Sequence, residues 1–142
     1  MRVLAAPDKF RGTATAAEVA GAIAAAVRAA GGRAREVPLS DGGEGFLEVF
    51  GGPNRATVVT GPLGEPVEAG WRLDGRTAVV EMARASGLVL AGGAAGNDPI
   101  AATTTGTGEL IAAALDAGAR RIIVGHGRSE ERRVGKECED LC

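Results

Sequence analysis

A strand, a helix and a second strand follow one another within the first forty residues, and this pattern constrains the fold more than any other. The apolar first strand covers 1–6 and the second strand covers 34–39. Between them, Thr15 and Glu18 form a capping box that begins a helix. The predicted apolar face of this helix consists of Val19, Ile23 and Val27. A unit of this length is normally a right-handed parallel crossover, so both strands are predicted to point the same way.

The middle of the chain alternates in the manner of an antiparallel sheet. Strands are predicted at 55–60, 66–73 and 76–82, and the last two are joined by a tight turn at Asp74-Gly75. This stretch does not fit a plain doubly wound parallel sheet. A second, mixed subdomain is therefore predicted to begin near residue 56.

A further helix and strand are predicted after a loose Gly/Ala loop over 87–97. The helix covers 109–117, and the strand covers 121–125. The helix residues predicted to face inward are Leu110, Ile111, Ala114 and Leu115. The fold class is therefore α/β, with a parallel βαβ part and a partly antiparallel subdomain.

The composition changes abruptly near the end of the chain. The segment 128–142 holds nine charged residues and both cysteines, Cys138 and Cys142. Because these cysteines have no second pair, they do not predict a zinc site. The chain is therefore predicted to comprise a βαβ part over 1–55, a mixed subdomain over 56–127 and a non-native tail over 128–142.

Charge and hydropathy exclude several classes of partner. The 142 residues carry a net charge of −2, which gives neither a basic field for nucleic acid nor a cationic face for a membrane. The apolar run at the N-terminus is too short for a signal peptide or a spanning helix, so a cytoplasmic protein is expected. Small acidic or phosphorylated molecules stay possible, because local groups hold them.

Two loops that follow the first two strands contain the first candidate site residues. Parallel strands end at one edge of a sheet, and ligands of open α/β sheets bind at that edge. In the first loop, Asp8, Lys9 and Arg11 offer a carboxylate and two cations, which suit a phosphate, a carboxylate or Mg²⁺. A solvated turn with an internal ion pair is the alternative.

The second loop combines glycines with two carboxylates. Gly42 and Gly43 allow the backbone to come close to a ligand, while Asp41 and Glu44 could share a metal or divide base and metal roles. The alternative is a helix N-terminus, with Asp41 capping a helix over 44–50.

A threonine segment and one glutamate complete the candidates. Thr104, Thr105 and Thr107 precede the predicted 109–117 helix, so they are either contacts for an anion or caps of the helix. Glu81 ends a strand and is either a ligand contact or an edge residue.

Other common catalytic motifs do not occur in the sequence. It contains neither a P-loop nor a nucleophile elbow, and Gly125-His126-Gly127 matches only the start of a dinucleotide fingerprint. His126 has no triad partners and is assigned to the junction with the tail.

Five motifs in order carry a resemblance to a known family. They are A-P-D-K-F-R-G (6–12), S-D-G-G-E-G (40–45), T-G-P-L-G-E-P-V (60–67), E-M-A-R-A-S-G-L (81–88) and T-T-T-G-T-G-E-L (103–110). Over residues 1–125 the chain resembles the glycerate kinase family, of the bacterial type related to the glyoxylate-pathway enzymes. It looks like the N-terminal third of a longer, two-domain enzyme with a flavodoxin-like part and a mixed subdomain.

The resemblance implies ATP-dependent phosphorylation of D-glycerate to a phosphoglycerate, with Mg²⁺. The implied catalytic residues are Asp41, Lys9 and Asp8, and the implied metal ligands are Asp41 and Glu44. The implied substrate and phosphate contacts are Arg11, Gly42, Gly43, Glu81, Thr104, Thr105 and Thr107.

The family continues after the last predicted strand with a glycine-rich run that is replaced here by the charged segment. The 142 residues alone are therefore expected to be inactive or nearly so. Two alternatives are a non-catalytic module that binds a carboxylated or phosphorylated metabolite and a truncated product without function. The sequence predicts neither the oligomeric state nor which hydroxyl is phosphorylated.

Overall fold

The computed structural model describes residues 1–10 and 12–127, and these form parts of two compact units. The first unit is Met1–Asp41, and the second begins at Gly42. This division lies before the boundary expected near residue 56, and the predicted domain limits of 1–55 and 56–127 stay predictions. The predicted tail, 128–142, lies outside the described residues.

The first unit is the strand–helix–strand pattern of the sequence. Its elements are β1 (Arg2–Ala5), α1 (Ala16–Ala29) and β2 (Arg33–Glu36). β1 and β2 pair in parallel with Arg2 opposite Arg33, which confirms the predicted direction of both strands. The capping box is also confirmed, since the Glu18 amide donates to Thr15 Oγ1 and the Thr15 amide donates to the Glu18 carboxylate.

The buried face of α1 differs from the predicted one. Its buried residues are Ala20 and Ala24, whereas Ile23 is 37% exposed. The two alanines are one helical turn apart and carry the smallest apolar side chains, so the helix backbone can lie close to β1 and β2. The predicted apolar face is wrong at Ile23. It was chosen from the large apolar side chains, whereas the buried face is the one whose small side chains let the helix lie close to the strands.

The second unit is built on a four-stranded mixed sheet. Its elements are α2 (Phe46–Val49), β3 (Arg55–Thr60), β4 (Pro66–Asp74), β5 (Thr77–Glu81), α3 (Ala83–Ser86), α4 (Gly93–Gly96), α5 (Thr105–Asp116) and β6 (Arg121–Gly125). The strand order is β3-β4-β5-β6; the first three strands are antiparallel, and β6 pairs in parallel with β5. The predicted combination of a parallel βαβ part with a partly antiparallel subdomain is confirmed.

The hairpin between β4 and β5 is confirmed, with its turn one residue later than predicted. Asp74 still belongs to β4 and pairs with Thr77, so the two-residue loop is Gly75-Arg76. Gly75 has a φ of +57°, and no described residue other than glycine has a positive φ. A positive φ at the first loop residue alone is the pattern of a type II′ turn.

The core of the second unit lies between α5 and one face of the sheet. It consists of Val59, Ala69, Trp71, Ala78, Val80, Ala85, Leu110, Ala114 and Ala119. The Trp71 indole N–H is satisfied by Thr57 Oγ1 at 2.9 Å. Leu110 and Ala114 face inward as predicted, but Leu115 is 54% exposed, because it lies well around the helix from Leu110.

Two other predictions about this unit need correction. α5 begins at Thr105 rather than at residue 109, so Thr105 and Thr107 lie within the helix. The loop predicted over 87–97 contains the single-turn helix α4. Among the described residues, no helix has both the length and the apolar character needed to cross a membrane.

Candidate functional site

The loops after β1 and β2 meet within the first unit. The Leu39 amide donates to the Pro7 carbonyl at 2.9 Å, so the chain segments that leave the two strands run side by side. Lys9 Nζ lies 3.1 Å from Asp41 Oδ1. The Lys9 amide donates to Asp8 Oδ1 at 2.6 Å. The structure therefore brings together Asp8, Lys9 and Asp41, the three residues that the sequence predicts as catalytic.

The Lys9–Asp41 pair is open to solvent. The Lys9 side chain is 23% exposed and the Asp41 side chain 37% exposed. An exposed ion pair stabilises a fold by at most about 1 kcal/mol. A ligand could therefore take the place of one partner at little cost in stability. Arg11, also predicted as a phosphate contact, lies outside the described residues.

The glycine loop of the second unit is held by the exit of β6. The Gly127 amide donates to the Gly42 carbonyl at 2.8 Å. A Cβ atom at Gly42 would lie 3.3 Å from the Gly127 nitrogen, and one at Gly125 would collide with the Phe46 ring. This contact was not predicted from the sequence, where Gly125-His126-Gly127 reads as a junction; the two glycines there are its only sequence signal.

The two predicted metal carboxylates are exposed. Asp41 ends the first unit and Glu44 lies in the second, and neither is buried. Within residues 1–10 and 12–127, no group of three or more acidic, histidine or cysteine side chains is placed to hold a metal ion. Gly45, not Asp41, occupies the N-cap position of α2, which corrects the alternative in which Asp41 caps a helix over 44–50.

Glu81 is buried at the end of β5, with 3% of its surface exposed. Its carboxylate accepts hydrogen bonds from the Leu47 amide at 2.8 Å and from the Gly45 amide at 3.3 Å. Because β5 lies between β4 and β6, Glu81 is not on an edge strand, and that alternative is wrong.

Burial raises the pKa of Glu81 above its ordinary value of 4.5. The hydrogen bond from the Leu47 amide and the charge of Arg84 act in the opposite direction, and the nearby charge of Glu48 adds to the rise. Arg84 Nε lies 3.8 Å from Glu81 Oε2, and the guanidinium also pairs with Glu48. This nitrogen is buried and has no hydrogen-bond partner among the described residues.

The three predicted threonine contacts have different surroundings. Thr104 and Thr105 are exposed at the start of α5, and Thr105 Oγ1 lies 2.7 Å from Thr103 Oγ1. Thr107 is only 7% exposed, and its hydroxyl lies 2.9 Å from Ser86 Oγ. Thr107 therefore has a partner within the core, whereas Thr104 and Thr105 are accessible to a ligand.

A cavity of about 440 Å³ opens beside the start of α5. Its polar lining comes from Ser86, Asn97, Thr103 and Thr104, and its apolar lining includes Met82 and Leu88. The size and the mixed lining are those of a small-molecule pocket. Ser86 and Asn97 were not among the predicted site residues, although Ser86 lies in the E-M-A-R-A-S-G-L motif.

Comparison with known proteins gives a consistent result. The family model described as "Glycerate kinase family" matches residues 3–135, which extends into the segment predicted as a tail. A glycerate kinase of Bacillus subtilis is 49% identical over 91% of this chain, and a glycerate 2-kinase of Escherichia coli is 46% identical over 91%. The chain spans 36% of the length of each of these relatives.

A solved structure agrees with these sequence matches. The crystal structure of a Salmonella typhimurium LT2 protein, provisionally named glycerate kinase 2, superposes with a TM-score of 0.73 at 43% identity. The superposition covers 88% of this chain and 35% of that protein.

Proposed function

This chain belongs to the glycerate kinase family, and from that premise we propose that the protein transfers the γ-phosphoryl group of ATP to a hydroxyl of D-glycerate. The observation that carries the proposal is the exposed Lys9–Asp41 pair, where the loops after two parallel strands meet. A base and a cation in contact at such an edge suit an acidic hydroxy compound and a phosphate.

The reaction assigns a role to each group. Asp41 accepts the proton of the glycerate hydroxyl, and the resulting oxygen forms a bond to the γ-phosphorus. The bond between that phosphorus and the β–γ bridging oxygen breaks, and ADP leaves. Lys9 and Arg11 hold the phosphate or the glycerate carboxylate as cations. Asp8 keeps the Lys9 backbone in place through its hydrogen bond.

The remaining predicted residues bind rather than react. Gly42 and Gly43 bring the backbone close to phosphate, and the exposed Thr104 and Thr105 supply anion contacts. The role of Thr107, the third of these threonines, stays a prediction. Glu81, predicted as a further contact, has a buried carboxylate that accepts from the Gly45 and Leu47 amides, so it acts on the backbone and does not contact the substrate.

Asp41 and Glu44 fit Mg²⁺ by their chemistry, since this ion is held by one or two carboxylates together with phosphate oxygens and water. Bound Mg²⁺ would neutralise charge on the transferring phosphate. We also place the protein in the cytoplasm, with a small-molecule substrate and no nucleic-acid or membrane partner.

A coupled assay of ADP formation tests the proposal, with the protein expressed from its complete reading frame and supplied with ATP, Mg²⁺ and D-glycerate. Asp41→Asn is expected to lower kcat by at least about a hundredfold, because general base catalysis supplies that much. Asp116→Asn, at an exposed aspartate near the end of α5, is the matched control and is expected to retain full activity.

Two results contradict the proposal in different ways. An Asp41→Asn protein with more than about a tenth of wild-type kcat excludes the base role. A wild-type protein that binds glycerate in a calorimeter but forms no ADP supports the alternative of a non-catalytic binding module.

A further inference from the structure

Glu81 takes the place of a missing helix cap. The N-terminal amides of a helix have no partner within the helix, and a side chain at the N-cap usually accepts from them. α2 has glycine at its N-cap, Gly45, which has no side chain to do so. The amides of Gly45 and Leu47 donate instead to the carboxylate of Glu81, more than thirty residues further along the chain.

The contact with Leu47 is buried, whereas Gly45 is exposed and its contact is partly buried. Glu81 is 3% exposed and Leu47 is fully buried, so water cannot replace either partner. A buried amide that loses its acceptor is left unsatisfied, and the loss destabilises that local conformation. The carboxylate therefore fixes the backbone between Gly45 and Leu47, which is the end of the glycine loop that begins at Gly42.

A backbone hydrogen bond holds the same loop at its other end. The Gly127 amide donates to the Gly42 carbonyl at 2.8 Å, and Gly125 allows the Phe46 ring to lie against β6. The loop from Gly42 to Gly45 is thus fixed at both ends from the carboxyl ends of two neighbouring parallel strands, β5 and β6. Glu44, an exposed carboxylate, lies between these two attachments.

We propose that Glu81 is a positioning residue for phosphoryl transfer, which holds the Gly42–Gly45 loop in place through the amides of Gly45 and Leu47. This role rests on the proposed function and differs from direct contact with the substrate. Positioning supplies much of the rate in phosphoryl transfer, because the reaction depends on several groups held in place at once.

The first test is amide hydrogen exchange of the full chain, followed by NMR. Glu81→Ala is expected to speed exchange at Gly45 and Leu47 by at least about tenfold, the effect of losing a hydrogen bond to a charged acceptor. Glu81→Gln keeps one acceptor oxygen and is expected to restore part of the protection. Glu68→Ala, at an exposed glutamate of β4, is the matched control and is expected to change neither amide.

The second test measures kcat and KM separately for the same variants. Glu81→Ala is expected to lower kcat by at least about tenfold while KM for D-glycerate stays within about threefold, and Glu81→Gln is expected to recover part of kcat. If Glu81→Ala does not fold by its melting curve, Glu81→Gln alone decides, with faster exchange at one amide and a lower kcat expected.

Three outcomes overturn the proposal. Unchanged exchange at Gly45 and Leu47 shows that the carboxylate does not hold the loop. Faster exchange with an unchanged kcat shows that the loop position does not matter for the reaction. A wild-type protein that leaves glycerate unphosphorylated overturns the proposed function itself, and the positioning role with it, whatever the exchange rates are.

Discussion

At the scale of single residues, acidic side chains that occur in similar motifs differ in burial and in hydrogen bonding once the chain is folded. Asp8, Asp41 and Glu44 are exposed carboxylates near strand ends, while Glu81 is buried and accepts two backbone hydrogen bonds. Motif position alone cannot separate these cases, because burial depends on which strands flank β5. Asp8 and Asp41 interact with Lys9 at the surface, whereas Glu81 is engaged with the backbone in the interior.

The raised pKa of Glu81 predicts a pH-dependent stability. The folded protein holds this proton more tightly than the unfolded chain, whose pKa is near 4.5. As pH rises above that value, the unfolded chain loses the proton first, so the free energy of unfolding falls until pH passes the raised pKa. Glu81→Gln is expected to remove this fall, which begins near pH 4.5 in the wild-type protein, as measured by urea unfolding.

Two other groups face the Glu81 carboxylate and need to be kept constant in that comparison. Arg84 opposes the rise in pKa and Glu48 adds to it, so both residues are left as they are. Glu68→Gln is the control and is expected to retain the wild-type slope. A Glu81→Gln protein whose stability still falls with the wild-type slope would contradict the assignment of that slope to Glu81.

At the scale of elements, the first turn of α5 shows how two glycines of one motif differ. A Cβ atom at Gly106 would collide with the Thr60 carbonyl of β3, whereas one at Gly108 would meet nothing within 4 Å. Gly106 therefore allows the helix to begin against the strand. Glu109, one turn further on, accepts from the Thr60 amide at 2.6 Å and tightens the same junction.

This difference predicts opposite effects for two otherwise matched substitutions. Gly106→Ala is expected to lower the free energy of unfolding by about 1–3 kcal/mol, because it overpacks a rigid contact. Gly108→Ala is expected to raise it by about 0.5–1 kcal/mol, because alanine favours the helix and space is free. Thermal and urea unfolding check both; equal effects of the two substitutions would show that the α5–β3 contact is not tight.

The elements were predicted well where local chemistry determines them. The capping box of Thr15 and Glu18, the hairpin near Gly75 and the strands β3 to β6 follow from short-range patterns. The start of α5 and the buried face of α1 were predicted less well. Both depend on how closely a helix lies against a sheet, and small residues decide that closeness: Gly106 in α5, and Ala20 with Ala24 in α1.

The candidate site was predicted in part, for the same reason. Asp8, Lys9 and Asp41 come together because two parallel strands end side by side, a relation that the strand–helix–strand pattern already contains. The contact of Gly42 with Gly127 joins segments far apart in sequence, and so does the cavity in which Pro62 lies opposite Ser86 and Asn97 in the lining. No local pattern specifies such pairs.

At the scale of the whole molecule, length is the main constraint on activity. The chain spans 36% of the B. subtilis and E. coli relatives that it matches. Phosphoryl transfer requires many groups to act on one phosphate at once. We expect the 142 residues alone to turn over D-glycerate at less than about 1 s⁻¹, the lower end for kinases.

A comparison of two proteins tests this expectation. The 142-residue chain and the glycerate kinase of B. subtilis are assayed side by side, with calorimetry of ATP and glycerate binding on both. Turnover by the 142-residue chain above about 1 s⁻¹ would show that it contains a sufficient site.

The attachment of the glycine loop bears on protein engineering. Glu81 at the end of β5 and Gly127 just after β6 hold residues 42–47, although both are far from them in sequence. This segment is therefore not expected to keep its conformation as an isolated peptide. A designer who grafts S-D-G-G-E-G onto another scaffold would have to supply a buried carboxylate and a close glycine backbone from two adjacent strands. A graft of the six residues alone would keep the sequence of the motif and lose its backbone conformation.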